Sequence, residues 1–142
     1  MRKDLVLMSS LLLLGACSSP SATLDKKEVA KQLIDSNYQN MMELSDEEIK
    51  DYLFLNENQS CVTYIANDGR VDELIVCDEG DGVEEVLNAH RESLGGQIMM
   101  YHSELSSAFE RAKVTHTANL IYFGMSENPQ DIIEAVEQMA KE

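Results

Sequence analysis

The chain has 142 residues, a formal net charge of −15 and an apolar fraction of 44%. This length fits one domain, and the apolar fraction is high enough for a hydrophobic core. The negative charge argues against a nucleic-acid partner, because it repels the phosphate backbone, and against adsorption of the folded surface to an anionic membrane.

The first segment has the order of features that is typical of an export signal. Arg2 and Lys3 precede an apolar run over residues 5–14. A transmembrane helix needs about 20 apolar residues, so this run is too short to span a bilayer. Its length and basic start fit a signal peptide. A short buried helix is the alternative, but the run is not amphipathic and Ser18-Ser19-Pro20 follows it.

The end of the run, Leu14-Gly15-Ala16-Cys17, resembles the lipobox of bacterial lipoproteins. In that family the cysteine is diacylglycerated and the chain is cut before it. The resemblance implies that Cys17 carries lipid, and two or three acyl chains anchor firmly at about 0.8 kcal/mol per buried methylene. We therefore predict a lipoprotein signal peptide at 1–16, a lipidated tether at 17–24 and a single domain at 25–142. The mature charge is −16, because Arg2, Lys3 and Asp4 are removed.

Two helices are predicted at the start of the mature domain. Apolar positions at Val29, Leu33 and Ile34 predict a first helix from Leu24 to about Asn37. A second, shorter helix is predicted to begin after Ser45.

A capping box marks that second helix. Ser45 is followed three residues later by Glu48, so Ser45 is the expected N-cap and the Glu48 side chain reaches back to it. Ile49, Tyr52 and Leu53 then form one apolar face.

A β-hairpin is predicted over residues 61–77. The first arm, 61–66, is rich in β-branched and aromatic residues, and the second arm ends at Cys77. Asp68-Gly69 between them is a strong turn signal. If Cys61 faces Cys77, the apolar residues of the two arms also face each other across the hairpin.

The cysteine count supports a disulfide in this hairpin. The chain has three cysteines, and assigning Cys17 to lipid leaves Cys61 and Cys77. We predict a disulfide between them, worth roughly 3 kcal/mol in the chain-entropy model. Two unpaired buried thiols or a metal site are the alternatives, and the metal signal is weak because no pair of histidines lies nearby.

The acidic stretch Asp78–Gly82 resembles a calcium loop only superficially. Counted from Asp78, the third position is Gly80 and the twelfth is Ala89, where an EF-hand needs oxygen ligands. A turn with Asp81 as the N-cap of the next helix fits better.

A long helix is predicted from Val83 to Tyr101. Its apolar stripe includes His90 and Tyr101 and keeps its phase through Gly95-Gly96, each of which costs roughly 1 kcal/mol relative to alanine. Ser103 is the expected N-cap of a shorter helix that follows.

A second hairpin and a last helix complete the domain. The hairpin is predicted over 114–117 and 120–125, and Pro129 fits the first turn of the helix. Ile132, Ile133, Val136 and Met139 are its expected buried face. The fold class is therefore α+β, with a four-stranded, mainly antiparallel sheet of two hairpins and helices packed on one face.

The assembled pattern resembles the small bacterial lipoproteins of domain-of-unknown-function family 4358, common in Gram-positive anaerobes. The features that carry the resemblance are the lipobox at Cys17, "MELSDEEIKDYLFL" at 42–55, "VDELIVC" at 71–77, the long helix running into Tyr101 and "NLIYFGMSENPQDIIEAV" at 119–136. It covers roughly residues 25–140 and implies an exported lipoprotein. It implies no activity, and Cys61 and Cys77 do not map onto the family pattern.

No catalytic residue, metal site or cofactor is predicted. Gly-x-Ser-x-Gly, HExxH and glycine-rich phosphate loops do not occur in the sequence. His90 and His102 are twelve residues apart and do not share a helix face. The methionine pairs 41–42 and 99–100 are expected mainly to fill the core, with an adaptable binding groove as the alternative.

These features predict a lipid-anchored lipoprotein on the extracytoplasmic face of the cell membrane. Its most favoured activity is non-enzymatic binding of an unknown envelope protein or a small ligand. The alternative is a cell-envelope hydrolase that uses acidic residues. A shallow exposed apolar or aromatic patch would favour the binding module, and a deep pocket with two converging carboxylates would favour the enzyme.

Overall fold

The computed structural model describes residues 23–142. The predicted signal peptide, Cys17 and most of the tether lie outside the described residues. Within residues 23–142, no helix is both long enough and apolar enough to cross a membrane.

The described chain is α+β, with five α-helices and a five-stranded antiparallel sheet. The helices are α1 (Lys26–Asn37), α2 (Asp46–Leu53), α3 (Val83–Tyr101), α4 (Ser106–Arg111) and α5 (Pro129–Ala140). The strands are β1 (Met41–Glu43), β2 (Cys61–Ala66), β3 (Glu73–Asp78), β4 (Thr115–Thr117) and β5 (Leu120–Met125), in the order β1-β2-β3-β5-β4. The prediction of four strands missed β1, whose three residues are too few to show an alternating pattern.

Helices cover both faces of the sheet, so the prediction of helices on one face is wrong. One core cluster combines α1 and α5 with Val62, Leu74, Val76, Leu120 and Tyr122. The other combines α2, α3 and α4 with Cys61, Ile75, Cys77, Ile121 and Phe123. Strands β3 and β5 are buried along nearly their whole length. Such strands need apolar side chains on both sides and therefore a layer of helices on both sides.

The first hairpin has the predicted register, with Cys61 opposite Cys77 and Val62 opposite Val76. The disulfide between Cys61 and Cys77 is present, and it lies in the core beneath α2 and α3. The loop between the two strands, residues 67–72, contains Gly69 at a φ of +85°. Glycine adopts this backbone conformation at little cost.

Two helix starts agree with the predictions and two differ. The capping box of α2 is present, with Ser45 accepting from the Glu48 amide and the Glu48 carboxylate accepting from the Ser45 amide. Pro129 lies in the first turn of α5. The N-cap of α3 is Gly82 rather than Asp81. Ser103 begins a short 3-10 turn rather than capping α4, and its carbonyl accepts a hydrogen bond from the Ser106 hydroxyl.

Helix α3 continues through Gly95 and Gly96, as predicted, but the two glycines lie in different surroundings. A Cβ atom at Gly95 would lie 2.7 Å from the Phe109 ring, whereas a Cβ at Gly96 would meet nothing within 4 Å. The Phe109 ring is itself held by the Arg91 guanidinium, 4.2 Å from the ring centroid. The missing side chain at Gly95 therefore lets α4 pack closely on α3.

We expect the two glycine-to-alanine variants to change stability in opposite directions. Gly95→Ala should lower the free energy of unfolding by about 2 kcal/mol, because the new methyl overlaps the Phe109 ring. Gly96→Ala should raise it by up to about 1 kcal/mol, because alanine is the better helix former. Urea unfolding followed by circular dichroism measures both. Equal effects at the two positions would contradict the packing role of Gly95.

Candidate functional site

A groove between α2 and α3, here called the α2–α3 groove, is the candidate functional site. Its volume is about 280 Å³. It is lined by Tyr52, Leu53, Phe54, Val86, Ala89, His90, Ser93, Leu94 and Gln97. The buried sides of the two helices anchor it, since Leu53 and Leu94 belong to the core beneath it. An apolar concavity with a few polar groups is the usual form of a binding site.

Phe54 lies at the edge of this groove in an unfavourable state. It directly follows α2, its φ and ψ are 58° and 45°, and 87% of it is exposed to solvent. The left-handed conformation costs a residue with a Cβ roughly 1–2 kcal/mol, and glycine is the usual choice after a helix. Because its ring is exposed, Phe54 also lacks the stabilisation that burial in the core would give a phenylalanine.

A buried carboxylate supports the wall of the groove. Glu73 on β3 is only 2% exposed. One of its oxygens accepts from the Tyr52 hydroxyl at 2.6 Å, and the other lies 2.7 Å from Nε2 of His90. The Tyr52 and His90 rings contact each other, with centroids 4.8 Å apart. Three separate elements thus meet at Glu73, which satisfies the requirement that a buried carboxylate be hydrogen-bonded.

These contacts set the chemistry of the two rings that line the groove. Burial, and then the nearby Glu73 carboxylate, raise the pKa of the Tyr52 hydroxyl far above its usual range, so the hydroxyl remains protonated. Because a carboxylate faces Nε2 of His90, that nitrogen carries the donated proton. Within residues 23–142, Nδ1 of His90 makes no hydrogen bond. It is also not enclosed by the protein, so it is accessible from the groove. His90 can therefore contact a ligand through Nδ1.

A second, more polar depression adjoins the groove and is here called the polar depression. Its volume is about 280 Å³, and it shares Tyr52, Leu94 and Gln97 with the groove. Its other lining residues include Asp72 and Glu73 as well as Arg70, which pairs with Asp72 at 2.7 Å. The two depressions together offer an apolar surface beside a charged one that contains two carboxylates and one guanidinium.

The end of α3 differs from the sequence prediction. Met99 is 76% exposed, Met100 74% and Tyr101 73%, so the expectation that the methionine pair 99–100 and Tyr101 are buried is wrong. The buried stripe of α3 ends at Ile98. The periodic pattern could not show this, because periodicity within one helix does not reveal where the elements that cover it end.

The three histidines are spread over the domain rather than gathered at one site. His90 is partly buried on the predicted stripe of α3, whereas His102 lies beside Glu104 and His116 beside Glu79 and Glu84. In the part of the chain that the structure describes, no group of three or more His, Cys, Asp or Glu side chains is arranged to hold a metal ion.

Two further hollows lack the strained, exposed aromatic residue that marks the α2–α3 groove. A polar hollow of about 450 Å³ next to the start of α5 contains Arg70, Asp72 and Asp131, and its arginine is paired with neighbouring carboxylates. A depression of about 590 Å³ beside Met99 contains Arg91, whose guanidinium donates to the Phe109 and Ala112 carbonyls. Neither has an aromatic side chain held in a costly exposed conformation.

Phe54 and Glu73 belong to no sequence motif for a binding site, and the groove forms only when α2 packs beside α3. A weak signal for Glu73 was available, because it is a charged residue at the start of the apolar run Leu74–Cys77. No known protein family, curated protein or solved structure matches this chain. The resemblance to family 4358 therefore stays a prediction.

Proposed function

We propose that this protein is a lipoprotein anchored through Cys17 to the extracytoplasmic face of the cell membrane. In this proposal the domain is a non-enzymatic binding module that uses the α2–α3 groove. The observation that carries the binding role is Phe54, a large aromatic side chain that is 87% exposed in a left-handed conformation. Both features lower stability, and strained residues of this kind concentrate at ligand-binding and other functional positions.

The surroundings of Phe54 support a binding role. The groove presents Tyr52 and Phe54 beside aliphatic side chains and one imidazole. Aromatic residues dominate the energetics of protein interfaces because they bury much area with few rotatable bonds. The Tyr52–Glu73–His90 contacts hold the wall rigid, so that a partner would meet a preformed surface.

The hydrolase alternative has less support from the geometry. A mechanism that uses acidic residues needs one carboxyl as proton donor and a second as base or nucleophile. Glu73 lies at the groove, but both of its oxygens are engaged by Tyr52 and His90. Asp72 in the polar depression is paired with Arg70. The engagement of these carboxylates in contacts within the domain is the geometric argument against this alternative.

The anchor predicts a clear result for Cys17→Ser. We expect the variant to remain unprocessed or to be released from membranes, because serine has no thiol to accept the lipid. Membrane fractionation and the mass of the mature N-terminus measure this. Cys61→Ser is the control, since it removes one sulfur of the buried disulfide and should leave the anchor in place. Unchanged processing and membrane retention of Cys17→Ser would overturn the anchor.

The binding role predicts that Phe54→Gly makes the domain more stable and weakens its binding of an apolar probe. The free energy of unfolding should rise by about 1 kcal/mol, because glycine adopts the left-handed conformation freely. Binding of the neutral apolar fluorophore N-phenyl-1-naphthylamine should fall several-fold, because the ring at the edge of the groove is lost. Met42→Gln removes an exposed apolar side chain on β1 and should leave probe binding unchanged. Equal probe binding by wild type and Phe54→Gly would contradict the groove as the binding site.

A further inference from the structure

We infer that the occupant of the α2–α3 groove is a peptide segment of a partner protein that combines apolar side chains with lysine or arginine. This inference rests on the proposed binding function and names the chemistry of the partner. Three observations carry it: the extent of the exposed apolar surface, the charge of the helices around it and the carboxylates of the polar depression beside it.

Exposed apolar side chains continue along α3 beyond the groove. Met100 and Tyr101 lie three and four residues after Gln97, so they extend the side of α3 that lines the groove. At about 1.5 Å per residue, the strip from Val86 to Tyr101 is roughly 22 Å long. The groove alone is about 280 Å³, at the lower limit of the roughly 300–1,000 Å³ typical of small-molecule sites. A strip with several separate anchors fits a peptide segment better.

The charge around the groove favours a cationic partner. The described domain has a formal net charge of −16, because the two cations and one acid of residues 1–22 are excluded. Helices α2 and α3 contain seven carboxylates but only two cations, Lys50 and Arg91. The Arg91 guanidinium is already engaged by two carbonyls and the Phe109 ring. Complementary charge speeds the encounter of two partners and selects between them.

The polar depression gives the cationic group a place next to the apolar anchors. Asp72, Glu73 and Arg70 line it, and Tyr52 lines both this depression and the groove. Arg70 donates to Oδ2 of Asp72 at 2.7 Å, and within residues 23–142 Oδ1 of Asp72 makes no hydrogen bond. Burial raises the pKa of the Asp72 carboxyl, so an incoming cation would stabilise its ionised form. The Tyr52 ring can also attract an ammonium or guanidinium group through a cation–π contact. Apolar side chains in the groove would thus place a neighbouring lysine or arginine beside Asp72.

Fluorescence anisotropy with labelled twelve-residue peptides tests the inference on the folded domain with its disulfide intact. The first peptide contains leucine, phenylalanine and lysine, and the second has every lysine replaced by glutamate. We expect the lysine peptide to bind and the glutamate peptide to bind at least tenfold more weakly. Phe54→Gly and Asp72→Asn should each weaken binding of the lysine peptide about fivefold or more. Asp35→Asn removes the same charge from exposed α1 on the other side of the sheet, and should change binding less than twofold.

Several results would overturn the inference. Equal binding of the two peptides would show that charge does not select the partner. Equal weakening by Asp35→Asn and Asp72→Asn would show that the peptide is attracted to the acidic surface in general and does not bind at the polar depression. Tighter binding of dodecylamine than of the lysine peptide would assign the site to a small amphiphile. If the neutral fluorophore still binds in a way that depends on Phe54, the proposed binding function stands and only the peptide inference fails. If the fluorophore does not bind in this way, both the proposed function and the peptide inference fail.

Discussion

Replacing His90 by leucine is expected to lower the free energy of unfolding by about 3 kcal/mol, because it leaves a buried carboxylate with one partner fewer. Glu73 is 2% exposed and depends on His90 and Tyr52 for its hydrogen bonds. Leucine approximately keeps the volume of the imidazole, so most of the loss reports the lost hydrogen bond rather than a cavity. Urea unfolding at neutral pH measures the loss.

A double-mutant cycle supplies the control for this prediction. The variant Glu73→Leu with His90→Leu removes the carboxylate together with its partner, so it should recover about half or more of the stability lost in His90→Leu. The coupling free energy should then exceed about 1 kcal/mol. Strictly additive losses would show that Glu73 and His90 do not depend on each other, and the proposed rigid wall of the groove would lose its basis.

Removal of the Cys61–Cys77 disulfide is the second large effect. We expect the double variant Cys61→Ala with Cys77→Ala to lower the free energy of unfolding by about 3 kcal/mol. The disulfide joins residues 16 apart in sequence, so it restricts the conformations of the unfolded chain. Both sulfurs lie in the core, so the smaller alanine side chains add a packing loss. The midpoint of urea unfolding reports the change.

Reductant separates the covalent bond from the packing of its sulfurs. Wild type should lose stability when the reductant is present during unfolding, whereas the double alanine variant should show no further loss. Intact protein should have a mass lower by two hydrogens than the reduced form. Free thiols at both Cys61 and Cys77 in exported protein would contradict the disulfide, and would indicate that the aligned strands alone hold this hairpin.

Local patterns were sufficient for most of the secondary structure. The capping box at Ser45 predicted the start of α2, and the cysteine spacing predicted the pairing of Cys61 with Cys77. Helix α3 runs through Gly95 and Gly96 as its periodicity indicated. Each of these features depends on residues close in sequence or on one turn, so the local sequence pattern is sufficient to predict it.

The arrangement of the layers was harder to predict, although a signal existed. The apolar residues of β3 and β5 are nearly continuous rather than alternating, which is typical of strands that are buried on both faces. That pattern could have indicated helices on both sides of the sheet. The three-residue strand β1 had no such signal, because its pairing with β2 comes from tertiary contact.

The sequence alone determined the α+β class, the register of the first hairpin and the position of most helices, because those depend on short-range periodicity and turn chemistry. It also predicts the export signal and Cys17, which remain predictions. Only the tertiary structure decided which side chains meet across elements. It brought Tyr52 of α2, Glu73 of β3 and His90 of α3 together, and it left Phe54 and the end of α3 exposed. Contacts of this kind depend on how helices pack on a sheet, and neither residue type nor spacing specifies that packing.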